Sequence, residues 1–368
     1  MTGTKAAPHP RFVILDGLRG LAALVVAALH AQEYLGVEIV HHGYLMVDLF
    51  FAMSGFVLAA AYGDTLARGG MGRWFVRVRL LRLYPMALLG LALGLLFNLL
   101  VTRYAPGYRG PSSLWIPLAD GLLFLPFLAG GPISPLNIPG WSLIFEIWIN
   151  AAYGYFAPKL NSRLLTIVTA LALLGLAAVV LTNGDLDVGA RQRNILGGAA
   201  RVLFSFPLGI LIHHAWAAGA LDRFRAPPGA AWLLASLLLA VALAGGSGLF
   251  ELIVVVALFP AVIVTAVTTP APRAAVPLFA LAGRLSYPLY AIHGPLLLLC
   301  ELAVAAVGPP TPLPLGQRAA VIAASIALAV GLAWACDRWI DAPLRAWFAA
   351  YGRRGFHPLA AAARMRGR

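Results

Sequence analysis

An arginine and a histidine share one face of the first apolar segment, which runs from residue 11 to residue 30 and also contains Asp16. At 100° per residue, Arg19 and His30 lie three turns apart on nearly the same side of a helix. In hydrocarbon, an ionisable side chain is costly unless it faces protein or a wet cavity. We therefore expect this face to point into a helix bundle, where a neutral His30 can accept the proton of an attacking hydroxyl group.

A carboxylate lies within another apolar segment, PGWSLIFEIWINAAYGY. Ser142, Glu146 and Asn150 repeat at i, i+4 and i+8, and Tyr153 follows about one turn later, so one face of this helix is polar. Because intramembrane carboxylates are functional by default, Glu146 is a second candidate catalytic residue. The alternative is a structural ion pair between Glu146 and an arginine on another helix.

A second histidine occurs in the apolar segment AGRLSYPLYAIHGPL. Ser286, Tyr290 and His293 share one face of the predicted helix. We take His293 as a third candidate catalytic residue. The alternative is a histidine that forms a hydrogen bond between two helices.

Arginines cluster in the run RWFVRVRLLRLYP, which leads into the third apolar segment. Arg79 and Arg82 are one turn apart, and Arg77 lies just before them. Arginine forks match phosphate oxygens, so the cluster predicts a docking site for a phosphate-rich ligand. The competing interpretation is an anchor to anionic lipid that also obeys the topology rule.

Membrane helices must position these residues, because 61% of the 368 residues are apolar and only 11% are charged. No soluble domain of this length has such a composition. The net charge of +13 comes mainly from arginines in alternate loops and the C-terminal tail, as in other membrane proteins, so no nucleic-acid partner is needed to explain it. Cys300 and Cys336 lack metal-ligand spacing, and we expect neither a metal site nor a disulfide framework.

Eleven windows of the sequence are candidates for crossing a bilayer. The weakest is residues 114–128, which is short and contains two prolines and Asp120. The basic residues place both termini in the cytoplasm, which requires an even number of crossings. We therefore predict an all-α polytopic bundle of about ten spanning helices plus one re-entrant or peripheral segment. The predicted organisation is a leader (1–11), without a cleavable signal peptide, a transmembrane domain (12–345) and a basic cytoplasmic tail (346–368).

For three other polar residues, Asp48, Glu251 and His42, the sequence predicts structural or solvent-exposed positions and no part in catalysis. Asp48 with Gly55 and Ala59 predicts a small-residue packing seam with an interfacial carboxylate. Glu251, near a helix end, is expected at the membrane interface, and His42 is expected in solvent.

The rise of 1.5 Å per residue predicts the depth of the candidate residues. His30, Glu146 and His293 fall in the outer half of the bilayer, and the arginine cluster falls at the inner edge. This arrangement suits a donor that enters from the cytoplasm and an acceptor that arrives from outside.

In this order, six motifs resemble the acyltransferase 3 family of multi-span bacterial membrane proteins: LDGLRGLAAL before His30, DLFFAMSGFVLA, RLLRLYP, WSLIFE, LSYPLYAIH and a closing D-x-P-x-R. The resemblance runs from Arg11 to Arg345. It implies acylation of hydroxyls on surface glycans or small molecules, acetyl-CoA as the usual donor, and importance for Arg19, His30, Arg79, Arg82, Glu146 and His293. Asp341 departs from the family, where Glu is more common, and we expect no fused extracytoplasmic hydrolase-like domain.

The resemblance and the residues together lead us to expect an O-acyltransferase of the bacterial plasma membrane. It would move an acyl group, most often acetyl, from cytoplasmic acyl-CoA to a glycan or lipid-linked sugar at the extracytoplasmic face. His30 would act as the base, and Glu146 would orient or polarise it or bind the acceptor. The arginines Arg77, Arg79 and Arg82 would hold CoA phosphates, and Arg19 would steer the pantetheine arm or pair with Asp16.

Several alternatives remain open from the sequence. Direct transfer and a covalent acyl-histidine both fit, as do succinyl or longer donors. A transporter for a lipid-linked sugar is the main rival, although such proteins commonly have paired halves with broken helices, which we do not find here. A non-catalytic assembly partner for polysaccharide export would leave His30, Arg79 and Arg82 without a shared purpose.

Overall fold

The computed structural model describes residues 12–104, 111, 113–307, 313–344 and 346–347. Within these ranges the chain is helical, with one isolated β-bridge between Pro132 and Arg191 and no strand. The prediction of an all-α fold is confirmed. The predicted leader, Arg345 and residues 348–368 of the predicted tail lie outside the described residues.

The described ranges contain twelve α-helices. They are α1 (Val13–Leu35), α2 (Met46–Ala67), α3 (Gly72–Tyr104), α4 (Trp115–Leu122), α5 (Trp141–Phe156), α6 (Ser162–Asn183), α7 (Ile195–Ala217), α8 (Ala230–Leu243), α9 (Gly248–Ile253), α10 (Phe259–Thr268), α11 (Val276–Val307) and α12 (Leu315–Cys336). A π-helical turn joins α9 to α10, and a second one continues α12.

Eight helical stretches of the described chain are long and apolar enough to cross a membrane: α1, α2, α3, α6, α7, the joined α9 and α10, α11 and α12. Two more apolar helices are shorter, α5 with 16 residues and α8 with 14. The chain is therefore a multi-pass membrane protein with eight candidate spans in its described part, and the prediction of about ten would require α5 and α8 to cross as well. We call the side on which α1 begins and α2 ends the N-terminal face, and the other side the opposite face.

The predicted irregular segment contains α4, which has only eight residues and cannot cross a bilayer. Beyond α4 the chain reverses at Phe124, a buried residue with the left-handed φ of 51°. The Tyr84 hydroxyl donates to the Leu122 carbonyl (2.8 Å), and Trp148 Nε1 donates to the Phe124 carbonyl (3.1 Å). These bonds fix the reversal against α3 and α5, as expected of a segment that enters only part way.

Glycines bring α1 and α11 into close contact. A Cβ atom on Gly20 would lie 2.4 Å from the Ala282 Cβ, and one on Gly283 would lie 2.6 Å from the Asp16 Cβ. Only hydrogen fits at these positions, so the two backbones approach closely, as in other small-residue contacts between membrane helices. The contact places the polar face of α1 against the polar face of α11.

A second glycine contact joins α2 to α7 and confirms the predicted packing seam on α2. A Cβ on Gly55 would lie 2.0 Å from the Phe206 carbonyl oxygen, and a Cβ on Gly209 would lie 2.0 Å from the Ala52 carbonyl oxygen. Both obstacles are backbone atoms, which cannot rotate away. Any side chain at these glycines forces the helices apart.

Gly55→Ala should therefore destabilise the protein by about 1–3 kcal/mol, the usual cost of overpacking. The measurement is the midpoint of thermal unfolding of the purified protein in detergent. Gly331→Ala is a matched control, because a Cβ there meets no atom within 4 Å and alanine favours helix. Equal midpoints for the two variants would contradict the packing argument.

Asp48, in the first turn of α2, is buried inside the protein and is not the exposed interfacial carboxylate that was predicted. Its carboxylate, 1% exposed, accepts two hydrogen bonds from Arg201 Nε (3.3 and 3.1 Å) and one from Arg201 Nη2 (2.7 Å). Arg201 also donates from Nη1 to the Val188 carbonyl (3.0 Å) and from Nη2 to the Tyr44 carbonyl (2.7 Å), and the guanidinium lies 5.4 Å from the centre of the Trp141 ring. Arg201 on α7 neutralises the Asp48 carboxylate, and this partner could not be inferred from the sequence of α2 alone.

Glu251 and His42 are also buried, contrary to their predicted interfacial and solvent positions. Glu251 accepts hydrogen bonds from the Tyr44 hydroxyl (2.9 Å) and the Leu186 backbone N–H (2.6 Å). His42 Nδ1 donates to the Ala244 carbonyl (2.7 Å), and its Nε2 lies 3.5 Å from the Glu251 carboxylate. Loops that fold back over the opposite face exclude solvent from this network, which hydropathy along the chain does not reveal.

Candidate active site

A cavity of about 220 Å³ lies among α1, α2, α3, α5 and α11. Its charged lining residues are Arg19, Arg79, Arg82 and Glu146, and its hydroxyl-bearing lining residues are Ser54, Tyr62, Ser142, Ser286, Tyr287 and Tyr290. Four of the seven predicted site residues therefore meet in one place. Helices that are distant in the chain converge on this cavity because glycine contacts hold α1 against α11.

The cavity extends along most of α2. Its lining runs from Tyr62, near the N-terminal face, to Val47, near the opposite face. At 1.5 Å per residue, these positions are about 22 Å apart. Arg19 lies about 9 Å along α1 from its first residue, so the cationic part of the lining belongs to the half nearer the N-terminal face.

Arg79 and Glu146 form an ion pair in the wall of the cavity. Arg79 Nη2 donates to Glu146 Oε1 (2.9 Å), and the Ser54 hydroxyl donates to the same oxygen (3.2 Å). The prediction that Glu146 and the arginine cluster lie at different depths is wrong, because the long arginine side chain reaches towards the middle of the bundle. The alternative prediction, an ion pair between Glu146 and an arginine of another helix, is confirmed. Sequence analysis missed Ser54, although its hydroxyl lies within one of the recognised motifs.

Near this ion pair, N–H groups of Arg79 and Arg19 lack a hydrogen-bond acceptor within the described part of the protein. Arg79 Nε is buried and has no hydrogen-bond partner among the described residues. Arg19, half-buried in the wall, donates no hydrogen bond to another protein group within the described chain. A guanidinium in a membrane interior needs an anionic or polar partner, so these groups can hold a ligand with phosphate or carbonyl oxygens.

Arg82 and Arg77 differ in position although both lie on α3. Arg82 is exposed and lines the cavity, so it can contact a ligand that enters there. Arg77 is exposed but is not part of the lining. Of the predicted cofactor-binding residues, the structure thus brings Arg19, Arg79 and Arg82 together and leaves Arg77 apart.

Tyr290 forms the wall of the cavity at the end nearer the opposite face. Its hydroxyl is 2.6 Å from the Ser142 hydroxyl and donates to the Pro139 carbonyl (3.2 Å). The Phe50 ring meets the Tyr290 ring edge to face, with centres 5.4 Å apart. These contacts close the cavity at this end.

His30 and His293, predicted from separate segments, stack on each other with ring centres 5.3 Å apart and planes 24° apart. His293 is fully buried, and its Nδ1 faces the carbonyls of Leu289 (3.2 Å) and Tyr290 (2.8 Å). Because carbonyls only accept hydrogen bonds, Nδ1 carries the proton of the neutral ring and Nε2 has the free lone pair. This Nε2 is buried without a hydrogen-bond partner among the described residues.

Glu33 holds the ring of His30, the other histidine of the pair, in place. His30 Nδ1 lies 3.1 Å from Glu33 Oε2, and the two side chains are 20% and 52% exposed. A carboxylate at Nδ1 favours the tautomer that leaves Nε2 free as a base. Sequence analysis missed Glu33, although an acidic residue three positions after a candidate histidine lies on the same face of the helix.

The histidine pair lies behind Tyr290 rather than in the wall of the cavity. The rings of Tyr290 and His293 are 5.6 Å apart, and Tyr290 lines the cavity whereas His30 and His293 do not. A group at the closed end of the cavity is thus one aromatic ring away from two imidazoles.

A proline explains how this part of α11 is held. Pro295 has no N–H to donate to the Ala291 carbonyl, four residues earlier. The Asn137 side-chain amide makes that hydrogen bond instead (2.9 Å). The loop before α5 therefore fixes α11 between Tyr290 and His293, and the polar groups of the site are positioned by rigid elements.

The described residues contain no group of three or more His, Cys, Asp or Glu side chains that could hold a metal ion. The chemistry that the arrangement supports is proton transfer by an imidazole, next to a cavity with cationic walls. Such a site suits the attack of a hydroxyl on an activated carbonyl whose leaving group carries negative charge.

Comparisons with known proteins identify the family of the chain. The acyltransferase 3 family, described as "Acyltransferase domain", matches residues 12–336. Protein 2 in the picA locus of Rhizobium radiobacter is 37% identical over 188 residues, which cover 48% of this chain and 95% of that protein. Acyltransferase MdmB of Streptomyces mycarofaciens is 33% identical over 149 residues, which cover 37% of this chain and 36% of MdmB. No solved structure is significantly similar to the chain.

Proposed function

Since this chain belongs to the acyltransferase 3 family, we propose that it is an O-acyltransferase that uses cytoplasmic acyl-CoA, with acetyl-CoA as its donor. The acceptor is a hydroxyl of a cell-surface glycan or a related carbohydrate at the extracytoplasmic face of the bacterial plasma membrane. In this proposal the N-terminal face is cytoplasmic and both chain termini lie inside. The membrane topology follows from the basic residues of the alternate loops.

One observation carries the proposal: the cationic cavity ends within one aromatic ring of the stacked histidines. A CoA thioester has phosphates at one end and the reacting carbonyl at the other. Arg82, exposed at the cavity wall, together with Arg19 and Arg79 in the same wall, suits the phosphates and the amide carbonyls of the pantetheine arm. The acyl group then points towards Tyr290.

In the proposed reaction, the acceptor hydroxyl attacks the thioester carbonyl carbon while its proton passes to His30 Nε2. The C–S bond breaks, and the CoA thiolate leaves and takes up the proton from the imidazolium. Glu33 holds the His30 ring in place, and His293 presents a second lone pair beside it. Because Tyr290 separates the cavity from the histidines, its side chain must move aside before the thioester can reach His30.

The test is thioester turnover by the purified protein in detergent. The protein is incubated with radiolabelled acetyl-CoA, with and without a crude envelope glycan fraction, and free CoA and labelled glycan are followed. His30→Ala serves as the blank. Glycan labelling that depends on His30 supports the proposal. If folded wild-type protein neither binds acetyl-CoA nor releases CoA, the donor assignment fails.

The arginine assignment makes a separate prediction. Arg82→Ala should raise the KM for acetyl-CoA by roughly 10- to 100-fold with little change in kcat, because a charge-assisted hydrogen bond contributes about 1.5–3 kcal/mol. Steady-state kinetics with varied acetyl-CoA measures both constants. Arg77→Ala is the matched control, since it removes the same charge from the same helix away from the cavity wall. An equal rise in KM for both variants would indicate a general effect of surface charge.

A further inference from the structure

The closed end of the cavity is apolar and tightly packed. Val47 and Phe51 of α2 are buried there together with Leu143 of α5, and Phe50 completes the wall. Phe51 and Val47 are held within a core cluster that also contains residues of α5 and α7. This end of the cavity therefore cannot widen by a simple side-chain rotation of Phe51 or Val47.

We propose that Phe50, held edge-to-face against Tyr290, limits the donor to a short, uncharged acyl group such as acetyl or propionyl. The inference rests on the proposed function, because it requires a thioester whose acyl group points to the closed end. It goes further in assigning acyl selectivity to a residue with no other part in the reaction.

Size is the first basis of this selectivity. The rings of Phe50 and Tyr290 have centres 5.4 Å apart, and the Tyr290 hydroxyl is already bonded to the Ser142 hydroxyl. Tyr290 moves aside in the proposed reaction, so a longer chain must displace the Phe50 ring or compress the packed side chains beside it. Well-packed interiors resist such displacement, and each excess methylene in a closed apolar pocket lowers the rate by a factor of about ten or more.

Charge is the second basis. A succinyl group brings a carboxylate to the closed end, where the nearby guanidinium of Arg201 is already used. Arg201 is fully buried, pairs with Asp48 and donates to two carbonyls. Val47, Phe50, Phe51 and Leu143 supply no hydrogen-bond donor, and Ser142 and Tyr290 bond to each other. A carboxylate placed there would be buried without a partner, which is strongly unfavourable.

The experiment compares acetyl-, propionyl-, butyryl-, hexanoyl- and succinyl-CoA as donors for the wild type and Phe50→Ala. We expect the wild-type kcat/KM for hexanoyl-CoA to be at least about 100-fold below that for acetyl-CoA, and succinyl-CoA to be as poor. Phe50→Ala should reduce the acetyl-to-hexanoyl ratio by about tenfold or more and should leave succinyl-CoA poor. Phe50→Leu keeps more of the side-chain volume and so protects the fold. It should give an acetyl-to-hexanoyl ratio between those of the wild type and Phe50→Ala.

Phe156→Ala is the matched control, because Phe156 is an exposed phenylalanine at the far end of α5. It should leave the donor ratios unchanged. Wild-type protein that uses hexanoyl-CoA as well as acetyl-CoA would overturn the inference while leaving the acyltransferase proposal intact. A Phe50→Ala variant that loses activity with all donors in equal proportion would overturn it too, because that indicates a purely structural residue. Absence of turnover with every acyl-CoA would instead reject the proposed function, and the inference with it.

Discussion

His30→Ala is expected to lower acyl transfer by about 10²- to 10⁴-fold, the usual contribution of a general base. The substitution removes the ring that stacks on His293 and the Nε2 lone pair that Glu33 holds free. The measurement is kcat for labelled transfer from acetyl-CoA at saturating donor, with thermal unfolding to show that the variant remains folded. Binding of acetyl-CoA should be little changed, because His30 does not line the cavity.

His214→Ala is the control for this substitution. His214 lies near the N-terminal face, at the other end of the bundle, where its ring contacts the Ser162 hydroxyl (3.1 Å). The His214→Ala variant should keep nearly full acyl-transfer activity. Comparable activity of His30→Ala and wild type would remove His30 from the mechanism and would make His293, with its free Nε2, the base to test next.

Asp48→Ala should have the largest effect on stability, a loss of about 3–5 kcal/mol, because it leaves Arg201 buried and unpaired. Arg201 has no access to solvent and cannot recover the lost bonds there. The measurement is the thermal midpoint and the yield of monodisperse protein in detergent. Asp64→Ala is the control, since Asp64 lies on the same helix in an exposed position.

A double variant separates the burial of charge from the loss of packing. Asp48→Leu combined with Arg201→Met removes both charges and keeps apolar volume, so it should recover much of the stability that Asp48→Ala loses. If Asp48→Ala alone unfolds at the same thermal midpoint as the wild type, the pair of Asp48 and Arg201 contributes little to stability.

The membrane fold could be predicted from the sequence because long apolar windows and alternating basic loops are local properties. The polar faces of α1, α5 and α11 could be predicted for the same reason, since helical periodicity depends only on neighbouring residues. The structure brings the faces of α1 and α11 together, as the stacking of His30 on His293 shows. The roles assigned to these residues stay predictions.

Pairings between helices could not be predicted in this way. The bond from Arg79 to Glu146 joins α3 to α5, and it escaped a depth estimate that counted backbone rise and neglected side-chain length. Arg201 was overlooked because one arginine in an apolar helix gives no sign of which acidic residue it meets. Glu251 was misplaced because chain position near a helix end does not show that a loop covers that end.

The hydrogen bond between Tyr290 and Ser142 has a consequence for the energetics of the cell. A pore that crossed the whole bundle would let protons and small ions leak down their gradients across the membrane that holds the protein. The two hydroxyls, with the Phe50 ring against Tyr290, end the aqueous space before it reaches the histidines. In the proposed reaction, an acyl group would thus be delivered deep into the membrane while the bilayer keeps its electrical insulation.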